Sequence, residues 1–402
     1  MSASISKLKY FLLCLVAFSL SCYIYSTSIC IIIFSVVWVI EGDYKRKLNA
    51  IISNKYVWLF CGLYLLHVIG MIYTNNFDMG MFSLEKKLSL LVFPLMLVSE
   101  GEMDLKKQKQ FMYPFIIGCL VNALICFGYA IWLYETEGKM YFTYIRMSLF
   151  LHPSYYSMYI DFVFVFIFYL FTDKATELSK KEKIFLISSL FFLEFMLVML
   201  QSKTGLIIGV IVLAVCTARY VLRTKQIKQG LVMSACTVVM AVLLYSFVVN
   251  GYSRIASASN IVATQKLDNK SVESTQARYF VWQSAWALYK TSPLIGVGTG
   301  DTEDKLMGQY AKDSVLGALK EKLNTHDEYL QVMIAIGIGG LICLLACLVL
   351  PFYKCFKERR FVYAMFLIIV ALNFLTESML ETQGGTIFYG LFNSLLMFNF
   401  VI

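Results

Sequence analysis

Residues 329–350 read YLQVMIAIGIGGLICLLACLVL and contain no charged side chain. A helix needs about 20 apolar residues to cross the hydrocarbon core of a bilayer, so this segment predicts a membrane span. Similar apolar segments fill most of the chain. They lie near residues 10–24, 27–40, 56–73, 84–98, 112–134, 153–172, 184–200, 203–221, 230–249, 361–377 and 386–402. The sequence therefore predicts an all-α polytopic membrane protein with about 12 transmembrane helices.

The overall composition agrees with a membrane protein. Hydrophobic residues make up 59% of the 402 residues, charged residues make up 15%, and the mean hydropathy is +0.69. Soluble domains have about 45–50% apolar and about 25% charged residues. The net charge of +9 would suit nucleic-acid binding. We reject that function, because the basic residues lie mostly in short loops between spans, where they set the orientation of a membrane protein.

The charge pattern also predicts which loops face the cytoplasm. If the N-terminus is cytoplasmic and the spans alternate, the inner loops collect most of the 35 basic residues. Both termini are then cytoplasmic. The predicted organisation is a single membrane domain in three parts: helices 1–9 in residues 1–249, a long outer loop in residues 250–328, and helices 10–12 in residues 329–402. The N-terminal apolar run resembles a signal peptide but shows no small-residue cleavage site, so we predict two retained helices.

The outer loop has its own helical pattern. Apolar residues recur between Arg278 and Lys290 with the spacing of an amphipathic helix. Ser292-Pro293 predicts its end, residues 296–300 predict a glycine-rich turn, and a second, mostly polar helix is predicted near residues 301–322.

Few residues in the chain are suited to chemistry, and His326 is the first of them. It lies at the end of the outer loop, directly before a span, where a neutral imidazole can accept a proton from a hydroxyl group. The alternative is a polar residue that caps the next helix. The eleven cysteines lie almost entirely in apolar runs without a Cys-x-x-Cys pair, which favours a packing role. We expect no metal and no cofactor.

Five cations are predicted to lie on the outer face, and together they suggest a site for an anion such as pyrophosphate. They are Lys86, Lys87, Arg146, Lys203 and Arg278. The alternative for each one is a long side chain that reaches the lipid head groups. Within the spans, Asp161 and Glu194 are candidate functional carboxyl groups. Asp161 is predicted near the outer third of its span, where it could join the site.

Three short motifs, in this order, resemble those of the O-antigen ligase/polymerase superfamily. They are Ser202-Lys203-Thr204-Gly205, Arg278 with Trp282 and Pro293–Gly298, and Thr325–Leu330 followed by a glycine-rich helix. The resemblance covers about residues 185–350. It implies a GT-C-like membrane glycosyltransferase of the bacterial inner membrane, with the loop 250–328 in the periplasm. The implied reaction moves a glycan from undecaprenyl diphosphate to an acceptor.

The resemblance also implies roles for individual residues. His326 matches the family's base, and Arg278 matches its diphosphate ligand. Lys203 stands where the family usually has arginine, so the charge is kept but the bidentate fork is lost. Asp327 stands where the family usually has asparagine, and its charge would support the histidine. Further matches are Lys86 or Lys87, a basic residue near the carrier phosphate, and the outer-loop segment from Arg146 to Tyr156 with His152-Pro153.

Several functions remain compatible with these matches. The preferred one is a ligase that transfers the glycan to lipid A–core, with membrane lipids as the surrounding partners. The same superfamily contains O-antigen or capsular polymerases, whose acceptor is another carrier-linked repeat, and protein O-glycosyltransferases. About 12 spans also suit a flippase or transporter. A polysaccharide-binding scaffold without catalysis is a further alternative.

Overall fold

The computed structural model describes residues 2–173, 177–228 and 274–401. Throughout these ranges the regular structure is helical and no strand occurs, which confirms the predicted fold class at that level. The α-helices are α1 (Ser2–Cys22), α2 (Ile24–Ile40), α3 (Tyr44–Ser53), α4 (Lys55–Gly70), α5 (Phe77–Lys87), α6 (Ser89–Leu97), α7 (Leu105–Glu137), α8 (Pro153–Thr172), α9 (Lys180–Met199), α10 (Lys203–Thr224), α11 (Ser274–Tyr289), α12 (Thr302–Lys312), α13 (Leu316–Lys320), α14 (Glu328–Glu358), α15 (Phe361–Phe374) and α16 (Gln383–Phe398).

The chain is a multi-pass membrane protein. In the described ranges, six helices are long and apolar enough to cross a membrane, and the number is seven if α2 and α3, bent by 113° at their junction, count as one span. The six include α4, α7, α8, α10 and α14. The predicted span at residues 230–249 lies outside the described residues.

Helix α8 forms the centre of the bundle. Almost all of its side chains are buried, including Tyr159 and Phe162. Because these buried positions lie on every face of the helix, other helices surround α8. Here aromatic rings supply much of that packing, because Phe162 contacts Phe366 at 5.2 Å and Phe392 at 5.0 Å between ring centroids. Packing against α8 therefore fixes the positions of the surrounding helices.

Ion pairs mark the two opposite ends of the bundle. At one end, Lys9 pairs with Glu41 at 2.7 Å and with Glu100 at 2.6 Å. At the other end, Lys87 pairs with Glu381 at 2.8 Å. We call these the Lys9 end and the Lys87 end. Helix termini that the charge pattern assigns to the same side of the membrane therefore lie together.

The outer loop packs as a small helical unit at the Lys87 end. Val281, Ala285 and Leu288 of α11 are buried in a cluster with Leu306 and Tyr310 of α12, so the predicted amphipathic helix is present. The second predicted helix, near 301–322, is instead two helices. The chain breaks between α12 and α13, where Ser314 adopts a φ of 56° that a helix does not tolerate.

Helix α14 is broken inside its apolar stretch, and the outer loop fills the break. The φ of Gly337 is 70°, so the normal helical hydrogen bonds are lost there. Val297 N–H donates to the Ile334 carbonyl at 2.8 Å, and Gly298 N–H donates to the Ala335 carbonyl at 3.1 Å. Buried backbone groups must find partners, so the loop backbone stabilises the break. The glycine-rich segment 296–300 is thus a turn, as predicted, and also a packing element.

Candidate functional site

The backbone around His326 is held in an unusual conformation. The φ of His326 is 48°, in the left-handed region that few non-glycine residues adopt. The His326 N–H donates to Asn324 Oδ1 at 3.0 Å, and the preceding Thr325 carbonyl accepts from Trp282 Nε1 at 3.0 Å. Backbone strain of this kind persists where the surroundings enforce it, and it is concentrated at functional sites. The fold therefore fixes the direction of the imidazole.

The helix cap predicted as the alternative role of His326 belongs to its neighbour. Asp327 is the N-cap of α14, because its carboxylate accepts from Leu330 N–H at 2.8 Å. Burial raises the pKa of Asp327, although the N–H groups of Leu330 and Tyr329 oppose that effect. The charge of Asp327 was predicted to support the histidine, but its carboxylate binds the N-terminus of α14 instead. A different carboxylate contacts the imidazole.

That carboxylate is Glu377, in the turn after α15. Its Oε2 lies 3.4 Å from His326 Nδ1, and its Oε1 lies 3.1 Å from the Arg278 guanidinium. Ser154 Oγ also donates to Oε1, at 2.9 Å. The Glu377 side chain is only 8% exposed. Residues from α8, α11 and the segments before α14 and after α15 thus meet at one carboxylate.

The electrostatics of this group keep Glu377 ionised. Burial alone would raise the pKa of Glu377, but the hydrogen bond and charge of His326 and the charge of Arg278 outweigh it and lower the pKa. A neutral imidazole that donates Nδ1–H to this carboxylate presents its Nε2 lone pair as an acceptor. The arrangement is therefore a histidine base oriented by a buried carboxylate.

Arg278 retains donors for a further partner. One terminal nitrogen donates to Glu377, whereas its Nε is buried and has no hydrogen-bond partner among the described residues. A buried guanidinium N–H without an acceptor is costly and points to an anion that completes the site. Its position beside His326 suits an anionic leaving group.

Lys86 and Lys87, near the start of the fourth predicted span, differ in their surroundings. Lys87 is fully buried and binds Glu381 and Ser83, at 2.8 Å and 3.0 Å. The lysine charge lowers the pKa of Glu381 against the effect of burial. Lys86 instead lines an open cleft of about 190 Å³ that reaches Asn324, two residues before His326. Lys86 is thus the lysine that faces a space large enough for a ligand.

Lys203 lies near the same end of the bundle. It is the first residue of α10, whose N-cap, Ser202, accepts from Gly205 N–H at 3.2 Å. A Cβ on Gly205 would lie 2.2 Å from Ser157 Cβ, so only glycine allows α10 to approach α8 here. Ser157 is one helical turn from Ser154, the partner of Glu377. The predicted Ser-Lys-x-Gly motif therefore packs beside the His326 group.

Two further predicted residues are not brought to the Glu377 carboxylate. Arg146 lies in an exposed turn with its guanidinium 5.0 Å from the Tyr141 ring, and it forms no hydrogen bond with the His326 group in the described ranges. Asp161 is fully buried in α8 beside Gly209, seven residues beyond Ser154. That separation is roughly 10 Å along a helix. Neither side chain contacts His326.

Sequence reasoning missed Glu377, and it included Ser154 only as part of the segment from Arg146 to Tyr156. The signal was present, because Glu377 and Glu381 are two acidic residues in a short loop between two apolar segments. Acidic residues contribute little to membrane orientation, so two of them in such a short loop indicate another role, such as an ion pair or a functional site. In the part of the chain that the structure describes, no group of three or more His, Cys, Asp or Glu side chains is arranged to hold a metal ion.

The comparison with protein families agrees with this geometry. Residues 187–345 match the family model described as O-antigen ligase. The matched region is similar to an O-antigen ligase family domain, and it covers less than half of the chain. The domain contains Lys203, Arg278 and His326, whereas Ser154 and Glu377 lie outside it. The match thus relates this part of the chain to the O-antigen ligases. A comparison with proteins of curated function finds no match.

Proposed function

We propose that the protein is an O-antigen ligase that transfers a glycan from undecaprenyl diphosphate to lipid A–core at the periplasmic face of the bacterial inner membrane. The observation that carries this proposal is the meeting of His326 and Arg278 at the buried Glu377 carboxylate. Glu377 contacts both His326, the base, and Arg278, a cation whose buried Nε–H has no acceptor among the described residues. Transfer from a lipid diphosphate needs both.

In this proposal, cationic side chains hold the donor diphosphate. Arg278 offers its free N–H groups, Lys203 adds a second charge at the start of α10, and Lys86 lines the adjacent cleft. These charges stabilise the diphosphate as the bond from its oxygen to the anomeric carbon breaks. Lys87 is buried and paired with Glu381, so it is assigned no direct contact with the diphosphate, and neither are Arg146 and Asp161. The proposed mechanism requires no metal.

His326 activates the acceptor in the same step. Its Nε2 accepts the proton of the acceptor hydroxyl while the hydroxyl oxygen forms a bond with the anomeric carbon. The departing electron pair stays on the diphosphate. Glu377 stabilises the imidazolium that forms, since its carboxylate lies 3.4 Å from Nδ1. Glu377 is thus a positioning residue for the base.

The proposal includes a GT-C-like architecture of about 12 spans, with both termini in the cytoplasm and the loop 250–328 in the periplasm. Eleven of the twelve predicted apolar segments lie in the described ranges, and each of the eleven contains a helix, which supports this number. The orientation is supported by the basic residues of the inner loops. It is also supported by the grouping of helix ends among the described residues, because Lys87 and Glu381, both predicted to be outside, lie together.

Gene deletion followed by gel analysis of surface glycolipids tests the reaction. A ligase deletion removes every glycan-bearing band and accumulates carrier-linked polymer. A core with a single repeat would instead identify a polymerase, and carrier-linked repeats held on the inner face would identify a flippase. Loss of glycan from proteins alone would identify a protein O-glycosyltransferase. Complementation with Arg278→Ala tests the site, and full activity of that inserted variant would refute the proposed mechanism.

A further inference from the structure

We propose that a cavity at the Lys9 end of the bundle binds a phosphate-bearing anion, the headgroup of an anionic membrane lipid. The cavity measures about 220 Å³ and is lined by three arginines, Arg219, Arg223 and Arg359. It lies at the far end of α8, α10, α14 and α15 from the His326 group. The site is therefore separate from the proposed catalytic centre by the length of a membrane span.

The lining of the cavity carries more positive than negative charge. Asp173 lies close enough to Arg219 for their charges to interact. Asp173 also lines the cavity and has an interaction of its own. The lining side chains thus carry three positive charges and one negative charge, which leaves an excess of positive charge for an anion. Arginine suits phosphate because its planar guanidinium binds two oxygens at once.

Arg219 supplies the strongest indication of a ligand. Its guanidinium lies 4.0 Å from the centroid of the Phe361 ring, and its Nε is buried with no hydrogen-bond partner in the described part of the chain. Stacking fixes the plane of the guanidinium and satisfies none of its N–H groups. An anion in the cavity would accept them.

Arg359 stands at a position where the backbone favours another residue. It is the C-cap of α14 with a φ of 59°, a conformation in which glycine is the preferred residue. The next residue, Arg360, is buried and donates to the Leu396 and Phe400 carbonyls, so this turn is firmly attached to α16. The turn therefore holds Arg359 in a fixed position at the edge of the cavity.

The ligand class follows from the location. Basic residues near helix C-termini and in cytoplasmic loops have a general explanation in the helix dipole and in membrane orientation. That explanation does not account for a cavity, or for a buried guanidinium without an acceptor. Basic pockets between transmembrane helices at the cytoplasmic surface suit anionic lipid headgroups. Free phosphate offers the same chemistry and is distinguished by experiment.

The test is lipid retention by the full-length protein in nanodiscs that contain phosphatidylglycerol and phosphatidylcholine, measured by native mass spectrometry. The wild type is expected to retain phosphatidylglycerol selectively. Each arginine replaced by glutamine should weaken that preference about fivefold, and all three together roughly 100-fold. Arg46→Gln is the matched control, because Arg46 lies at the same end and pairs with Asp43 on the exposed helix α3. It should retain the preference.

A second variant protects the test against misfolding. Arg359→Gly places the preferred residue at the left-handed C-cap, so helix α14 should be at least as stable while lipid selectivity falls. Stabilisation by inorganic phosphate without lipid selectivity would assign the same site to free phosphate. Equal retention of both lipids by the wild type with no effect of phosphate would overturn the proposal. Unchanged selectivity in the triple variant would overturn it as well. These readouts do not depend on transferase activity.

Discussion

Replacement of Glu377 by glutamine removes the charge that faces the histidine. Glutamine has nearly the same shape, and its carbonyl oxygen can still accept from Ser154 and from Arg278. The amide nitrogen then takes the place of Oε2, so both the negative charge beside the imidazole and the acceptor for its Nδ1–H are lost. We therefore expect the variant to insert and fold, with its principal defect in the step where His326 gains a proton.

The size of the defect follows from the geometry. Two unit charges separated by 3.4 Å, the distance from Glu377 Oε2 to His326 Nδ1, attract by about 5 kcal/mol at an effective dielectric constant near 20. The histidine side chain is 28% exposed, and solvent screening reduces that attraction to roughly half. A loss of about 2–3 kcal/mol in the transition state corresponds to a rate decrease of about 100-fold.

The assay is single-turnover transfer by the purified protein in nanodiscs, with carrier-linked glycan and acceptor, measured across a range of pH. Without the carboxylate, the imidazolium that forms during transfer is no longer stabilised, so the rate should fall across the pH range in which the wild type is active. Glu381→Gln is the control, because Glu381 is a second acidic residue of the same loop and its partner is Lys87. It should lower stability without a comparable loss of the transfer rate. A Glu377→Gln enzyme with the wild-type rate and profile would refute the reasoning.

Three further predictions use other parts of the structure. Lys203→Arg restores the bidentate fork, so we expect an unchanged or lower KM for the carrier-linked donor in the same assay; a large loss of activity would contradict the proposed phosphate contact. Gly337→Ala should destabilise the protein by about 3 kcal/mol or more in thermal unfolding, because its φ is 70° and a Cβ would lie 2.2 Å from the Leu294 carbonyl oxygen. The control Gly339→Ala has no neighbour within 4 Å and should be neutral or slightly stabilising. Because the folded-state pKa of Glu377 is lowered, its stabilising effect is present above the ordinary glutamate pKa and is lost as the pH falls through the folded value. Thermal stability should fall on acidification below about pH 4, and less so in Glu377→Gln.

The residues predicted from sequence share a simple physical signal. His326 and Arg278 are polar groups at the ends of apolar or amphipathic helices, where a local pattern fixes their position. The all-helical fold follows for the same reason, since apolar length alone predicts each span. Local pattern does not report which helix ends meet. Glu377 lies 51 residues from His326 in sequence, and only the packed bundle brings the two together.

Other features depend on tertiary contacts that no local pattern encodes. The burial of Lys87 follows from its pairing with Glu381, 294 residues away, whereas its neighbour Lys86 remains on an open cleft. The break in α14 has the same origin. A glycine-rich apolar helix predicts close packing, but the hydrogen bonds from Val297 and Gly298 are what stabilise its opening. The break could therefore be predicted only from the contact between the loop and the helix, which neither segment shows alone.

The shared hydrogen bonds between the outer loop and the broken helix have a consequence for engineering. Val297 and Gly298 complete the backbone of α14, and Ile338 N–H donates in return to the Pro293 carbonyl at 2.9 Å. A chimera that receives this loop from a relative must also receive the matching portion of the span. If the loop alone is exchanged, buried carbonyl groups lose their donors. The loop and the adjoining part of α14 therefore have to be exchanged together, and the junction of such a chimera lies within the membrane-spanning part of the helix.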